Sequence, residues 1–144
     1  MQTRRTQRSA RPESSETHAA ITVTERFAEL LAEEGFRPKV EGEGDDALIN
    51  FKVQGRKFVL SPEETDPQFL HLILYFTLDE EADLAVALAK ANRENQRWKA
   101  LKLVVHPEDR GVSFHFESFG ADGEGAMAMI PRAVDALNAA AEKF

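Results

Sequence analysis

QFLHLILYFTL, residues 68–78, is the stretch whose reading decides the fold. Phe69, Leu70, Leu72, Ile73, Leu74, Tyr75, Phe76 and Leu78 leave it almost no polar side. Periodicity alone does not separate a strand from a helix over so short an apolar run. Asp66 followed by Pro67 has the form of an N-cap with proline at the first helical position, and leucine is a good helix former. Against a helix, the Tyr75-Phe76-Thr77 end favours a strand. Thr77 and Glu80 also make a fresh capping signal, which starts a new helix rather than continuing an old one. The run is therefore read as a strand.

Working upstream, SPEETDPQ (61–68) reads as a loop, and LINFKVQGRKFVL before it is the clearest hairpin in the chain. With Gln54-Gly55 as a two-residue turn, Val53 faces Arg56, Phe51 faces Phe58 and Ile49 faces Leu60, with Gly55 supplying the positive φ. Asn50, Lys52, Lys57 and Val59 then share the opposite face. FRPKVE (36–41) reads as a short strand that Pro38 confines to an edge. Thr22 and Glu25 form a capping box ahead of Val23, Phe27, Leu30 and Leu31, which follow helical spacing up to Gly35.

Downstream, residues 80–97 read as a helix with Leu84, Leu88, Ala91 and Asn95 on one stripe and Ala87 beside it. KALKLVV and GVSFHFESF alternate as a second hairpin closed by HPEDRG, and GADGEG reads as a flexible loop. A last helix is expected near 126–143, with Ile130, Val134, Leu137, Ala141 and Phe144 on its apolar face and Pro131 either in its first turn or kinking it. The expected fold is α+β: an antiparallel sheet of five to six strands with helices mainly on one face, in the order α-β-β-β-β-α-β-β-α.

Composition bounds the function. The chain has 144 residues, 42% hydrophobic and 30% charged, which suits one soluble domain with one core. Residues 1–17 are polar and aperiodic and are expected to be a disordered basic tail, leaving 18–144 as a single domain. No cysteine is present, so disulfide and thiolate chemistry are excluded, and a reducing, cytoplasmic setting is expected. The N-terminal stretch has no apolar core of a secretory signal, and the longest apolar run is about half the ~20 residues of a membrane helix. Net charge is −7, and Arg4, Arg5, Arg8 and Arg11 in the tail make the remainder more acidic still. Such a body repels phosphate backbones, so no nucleic-acid partner is expected.

Catalytic signatures are missing. His18, His71, His106 and His115 show no H-x-x-x-H or H-E-x-x-H spacing. His71, His106 and His115 converge only if their strands are adjacent, and His115 lies roughly opposite Lys102, a poor companion for a metal ligand. No metal and no cofactor is therefore expected. Glu63-Glu64, Asp79-Glu80-Glu81 and Asp45-Asp46 fall in loops or at helix starts, where the helix dipole favours negative charge without catalysis. GEGDD and GADGEG match no phosphate-binding or calcium loop. The most distinctive local pattern is ANRENQRWK (91–99). Asparagines are weak helix formers, so Asn92 and Asn95 near a helix end are expected to tie down the following backbone. Trp98, the only tryptophan, marks the passage from helix to strand.

The helix ending in EEGF, the INFKVQGRKFVL hairpin, the long apolar strand, ALAKANRENQRWKALKLVV and the closing IPRAVDALNAAAEKF together resemble the YbjN-like family, over roughly residues 20–144. The Asn92-x-x-Asn95 spacing ahead of a strand is the closest point of likeness. The resemblance implies the type III secretion chaperone-like fold and a small acidic protein, often dimeric, that binds or regulates other polypeptides. It carries no catalytic residue.

In that frame Leu70, Leu72, Leu74 and Phe76 face the helices, while Phe69, His71, Ile73, Tyr75 and Thr77 face away. Exposing Phe69, Ile73 and Tyr75 would leave roughly 400–500 Å² of apolar surface, near the limit for a monomer. Burying it yields about 10 kcal/mol gross, against an association cost of ~4–15 kcal/mol. The expected function is a non-enzymatic protein-binding module, chaperone-like or regulatory and homodimeric. Its interface would be Phe69, His71, Ile73, Tyr75 and Trp98, with the 79–97 helix contributing. The alternative is a ligand-binding or enzymatic domain with His71, Tyr75 or His115 in a pocket between sheet and helices.

Overall fold

A computed structural model describes residues 21–120 and 123–144. The basic tail expected over 1–17, and His18, lie outside the described residues. Helix α1 (Val23–Glu33) is followed by β1 (Lys39–Glu41), a 3-10 turn (Gly44–Asp46), β2 (Leu48–Val53), β3 (Arg56–Leu60) and β4 (Leu70–Thr77). Then come α2 (Leu84–Arg97), β5 (Leu101–His106), β6 (Gly111–Ser118) and α3 (Gly123–Lys143). The six strands form one antiparallel sheet in the order β1-β2-β3-β4-β6-β5.

The deciding stretch is a strand at the middle of that sheet. β4 pairs with β3 on one side and, over its whole length, with β6 on the other. Its alternation buries Leu70, Leu72 and Leu74 completely. They meet Phe58, Leu60, Val112 and Phe114 on one face, and the apolar sides of α1 (Phe27, Leu30, Leu31) and α3 (Ile130, Val134, Leu137) close over that layer. All three helices pack into this one core.

The local signals explain the elements. The hairpin pairs Val53 with Arg56, Phe51 with Phe58 and Ile49 with Leu60, as the alternation requires. Gln54 and Gly55 both take positive φ, 51° and 78°, the pattern of a type I′ turn. The capping box of α1 is complete: Thr22 Oγ1 accepts from Glu25 N at 3.1 Å, and Glu25 accepts from Thr22 N at 3.3 Å. Glu64 adds a second cap from the distant loop, accepting from the backbone N–H groups of Val23 and Thr24 and from the Thr24 hydroxyl. Those bonds hold its carboxyl below the usual range.

The strand reading of the deciding stretch holds at its start: the Asp66 side chain accepts from Gln68 N and its carbonyl from Phe69 N, closing a turn into β4 rather than opening a helix. Other expectations are corrected. Thr77 does not cap α2, because the ladder runs through it to Gly111 and Leu78 N–H still bonds Arg110 O. Asp83 is the true N-cap, accepting from Ala85 N and Val86 N at 2.8 and 3.4 Å. The buried stripe of α2 is Ala87, Ala91 and Glu94, and Leu88 is 47% exposed. Alanines let this helix lie close on the edge strand β5, so the stripe follows small size rather than leucine. α3 begins at Gly123, which places Pro131 in its interior and not in its first turn.

Candidate functional site

Packing every helix on one face leaves the other face of the sheet without a helical cover among the described residues. The register lays out what stands on that outer face. Val59, Ile73, His115 and Lys102 lie across β3, β4, β6 and β5; Tyr75, Ser113 and Val104 form the next row, and His71 and Glu117 the one before. Phe69, Ile73, Val59 and Val104 are half-buried and Tyr75 is 41% exposed. The apolar patch is thus less open than the sequence implies. Part of the reason is that Tyr75 lies down over Gly111, where an added Cβ would come within 2.1 Å of its hydroxyl oxygen. That hydroxyl donates to Asp109 Oδ2 at 3.2 Å. Burial first, and the Asp109 carboxylate second, raise the phenol pKa above its ordinary value.

The centre of the face is a chain of hydrogen bonds. His71 Nε2 lies 2.9 Å from His115 Nδ1, His115 Nε2 lies 2.7 Å from Ser113 Oγ, and Ser113 Oγ lies 2.8 Å from His106 Nε2. Ser113 is only 3% exposed. Two directions satisfy every donor: protons point from His71 toward His106, or all point back. At the His71 end, Glu117 Oε1 is 3.5 Å from His71 Nε2 and 2.9 Å from Lys102 Nζ. Burial, aided by the charges of His71 and Lys102, pushes the His115 pKa down to about 4, and burial also lowers His71 against the pull of Glu117. The hydrogen bond from Lys102 holds the Glu117 carboxyl below its ordinary range. The two central imidazoles are therefore neutral at neutral pH.

Of the five residues expected at an interface, Phe69, His71, Ile73 and Tyr75 share the outer face. Trp98 does not join them. It caps the C-terminus of α2, on the helical side of the sheet, donating from Nε1 to the buried Glu94 at 2.8 Å with Lys143 Nζ above its ring. α2 itself lies on that side, so it and the outer face of β4 form no continuous surface. Asn95 ties the following strand through the backbone of Leu103, whereas Asn92 makes no bond to it. Phe119 adds to the four on the outer face a residue outside the expected interface. It follows β6, is 78% exposed and stands 5.2 Å from the Phe69 ring, extending the patch at one end. Its odd position in the alternation of β6, with Glu117 and His115, is the signal that would have found it.

Of the three residues of the pocket alternative, His71 and His115 stand on the outer face, away from the helices. Tyr75 stands there too and also borders a cleft of about 330 Å³ that reaches Arg56, Phe76 and Ala141 of α3. A cleft of about 710 Å³ opens elsewhere, beside β1 and the β2–β3 hairpin, and Arg37, Lys39, Lys52 and Lys57 line it without any of the three. Among the described residues no helix is long and apolar enough to cross a membrane.

No curated protein matches the chain. A family model described as "YbjN: Putative bacterial sensory transduction regulator" matches residues 24–144, which span the first helix to the last. That match covers more than half of the chain, and the chain belongs to the YbjN family.

Proposed function

We propose that the chain is a non-enzymatic, protein-binding regulatory module that docks a second polypeptide on the outer face of its sheet, a second copy of itself in the first instance. The observation that carries this is the one-sided packing: Phe69, Ile73, Tyr75, Val59, Val104 and Phe119 keep apolar surface in water on the face the helices do not cover. The membership of a regulator-type family supports it. The sheet edges support it too, because neither invites an added strand. β1 has three residues, two of them charged, behind Pro38. On β5 the Asn95 side chain already occupies the backbone of Leu103.

The exposed portion of these side chains is smaller than their whole area, so burial returns only part of the ~10 kcal/mol gross that full burial would give. Against an association cost of ~4–15 kcal/mol, the dimer is weak and concentration-dependent. Sedimentation velocity over a wide concentration range tests this. The wild-type chain shifts from monomer to dimer, and Tyr75→Lys stays monomeric at every concentration while keeping its circular dichroism spectrum. A variant that dimerises like the wild type, or a wild type that never does, overturns the assignment.

A further inference from the structure

We propose that His71, His115 and Glu117 form a three-ligand site for a divalent transition ion of the zinc class on the outer sheet face. His71 on β4 and His115 and Glu117 on β6 offer one donor atom each, and those atoms all lie within 4.8 Å of one another. A tetrahedral ion with bonds of ~2.0–2.1 Å sets its ligand atoms about 3.3 Å apart. The separations from His71 Nε2, 2.9 Å to His115 Nδ1 and 3.5 Å to Glu117 Oε1, bracket that figure. Small side-chain rotations on a rigid central strand pair suffice to admit an ion. Two imidazole nitrogens and one carboxylate oxygen suit zinc, cobalt or nickel rather than calcium or magnesium, which prefer all-oxygen shells.

The surroundings orient these donors. Ser113, buried beneath the row, takes the Nε2 side of His115 at 2.7 Å. With the proton on Nε2, the lone pair of His115 Nδ1 faces His71, and an ion enters when the His71 proton moves from Nε2 to Nδ1, which frees the second lone pair. The Ser113 hydroxyl then donates its hydrogen bond to His106 Nε2, 2.8 Å away, so the buried hydroxyl stays fully paired. The fourth position faces out of the sheet, where a water molecule or a donor from a docked chain completes the tetrahedron. Lys102 opposes the ion. Its ammonium holds Glu117 Oε1 at 2.9 Å and must swing away, which its 56% side-chain exposure permits. The geometry stands whether or not the face also docks a second copy.

The test uses the full chain, stripped with chelator and titrated with zinc chloride by calorimetry and with cobalt chloride by visible absorption. One equivalent binds, and cobalt develops the intense d–d bands of a four-coordinate site. His115→Ala abolishes both signals. Glu117→Gln, a change at a partly exposed group that spares the fold, weakens binding at least tenfold, and Ser113→Ala weakens it about 10–100-fold, as loss of an orienting group does. Lys102→Ala tightens binding, because it frees the carboxylate. Metal binding that His115→Ala and Glu117→Gln leave unchanged, or no saturable binding in the wild type, overturns the site. The oligomeric state, read separately in metal-free buffer, reports on the docking face alone.

Discussion

Asn95 does for strand β5 what a neighbouring strand would do. Its Nδ2 donates to the carbonyl of Leu103 at 3.0 Å and its Oδ1 accepts from the same residue's N–H at 2.7 Å. On an edge strand those two backbone groups have no ladder partner, and an unpaired buried amide costs about 1–3 kcal/mol. One turn of helix earlier, Asn92, exposed like Asn95, makes no such contact. Asn95→Ala should therefore lower the unfolding free energy by about 1–3 kcal/mol. Asn92→Ala should stay within about ±0.5 kcal/mol, like an ordinary surface change. Urea unfolding of the two variants side by side decides it, and equal losses would mean that the asparagines serve some purpose other than strand pairing. Glu94, 5% exposed and taking the indole proton of Trp98, closes the same knot from the helix side. The spacing of the two asparagines was legible in the sequence. Which of them faces β5 was not, since that depends on how far α2 is rotated, and its alanines set that rotation.

Elements were legible where their signals are local. The β2–β3 hairpin needs only alternation and a residue tolerant of positive φ, and both stand within thirteen residues. β4 was harder, because Asp66-Pro67 and Thr77-x-x-Glu80 imitate helix caps; the long register with β6 overrides them. α3 shows another such override. Pro131 sits in the interior of a 21-residue helix, where it has no N–H to offer the carbonyl of Met127. The helix persists because Ile130, Val134 and Leu137 are buried against the sheet, and that packing outweighs a local cost of about 3 kcal/mol. Pro131→Ala should restore the backbone bond and raise stability by about 1–3 kcal/mol. Differential scanning calorimetry would show a higher midpoint. A lower one would mean that the ring packs in a way the helix depends on.

At the scale of the whole molecule, strand order decides what the face can do. His71 and His115 are 44 residues apart and meet only because β6 inserts between β4 and β5. Nothing in the spacing of the histidines announces that insertion, so from sequence their convergence is conditional on their strands being adjacent. The same placement makes the fold sensitive to acid. His115 stays neutral in the folded chain down to about pH 4, whereas it takes a proton near 6.5 when free in solution. His71 is lowered in the same direction. The unfolded chain thus binds more protons as pH falls, so this contribution is complete above about 6.5 and is lost progressively toward about 4. Lys102 and His106 reinforce the effect, and Glu117 opposes it, with Glu63 also opposing it at His71. Glu64 and Glu117, whose pKa values are depressed from 4.5, add a second loss that begins only below that value. Unfolding midpoints measured in chelator should therefore decline in two stages as pH falls from 7.5. His115→Gln should flatten the upper stage and leave the lower one in place. If the variant and the wild type trace the same curve between 6.5 and 4.5, the buried imidazole is not the group that senses acid.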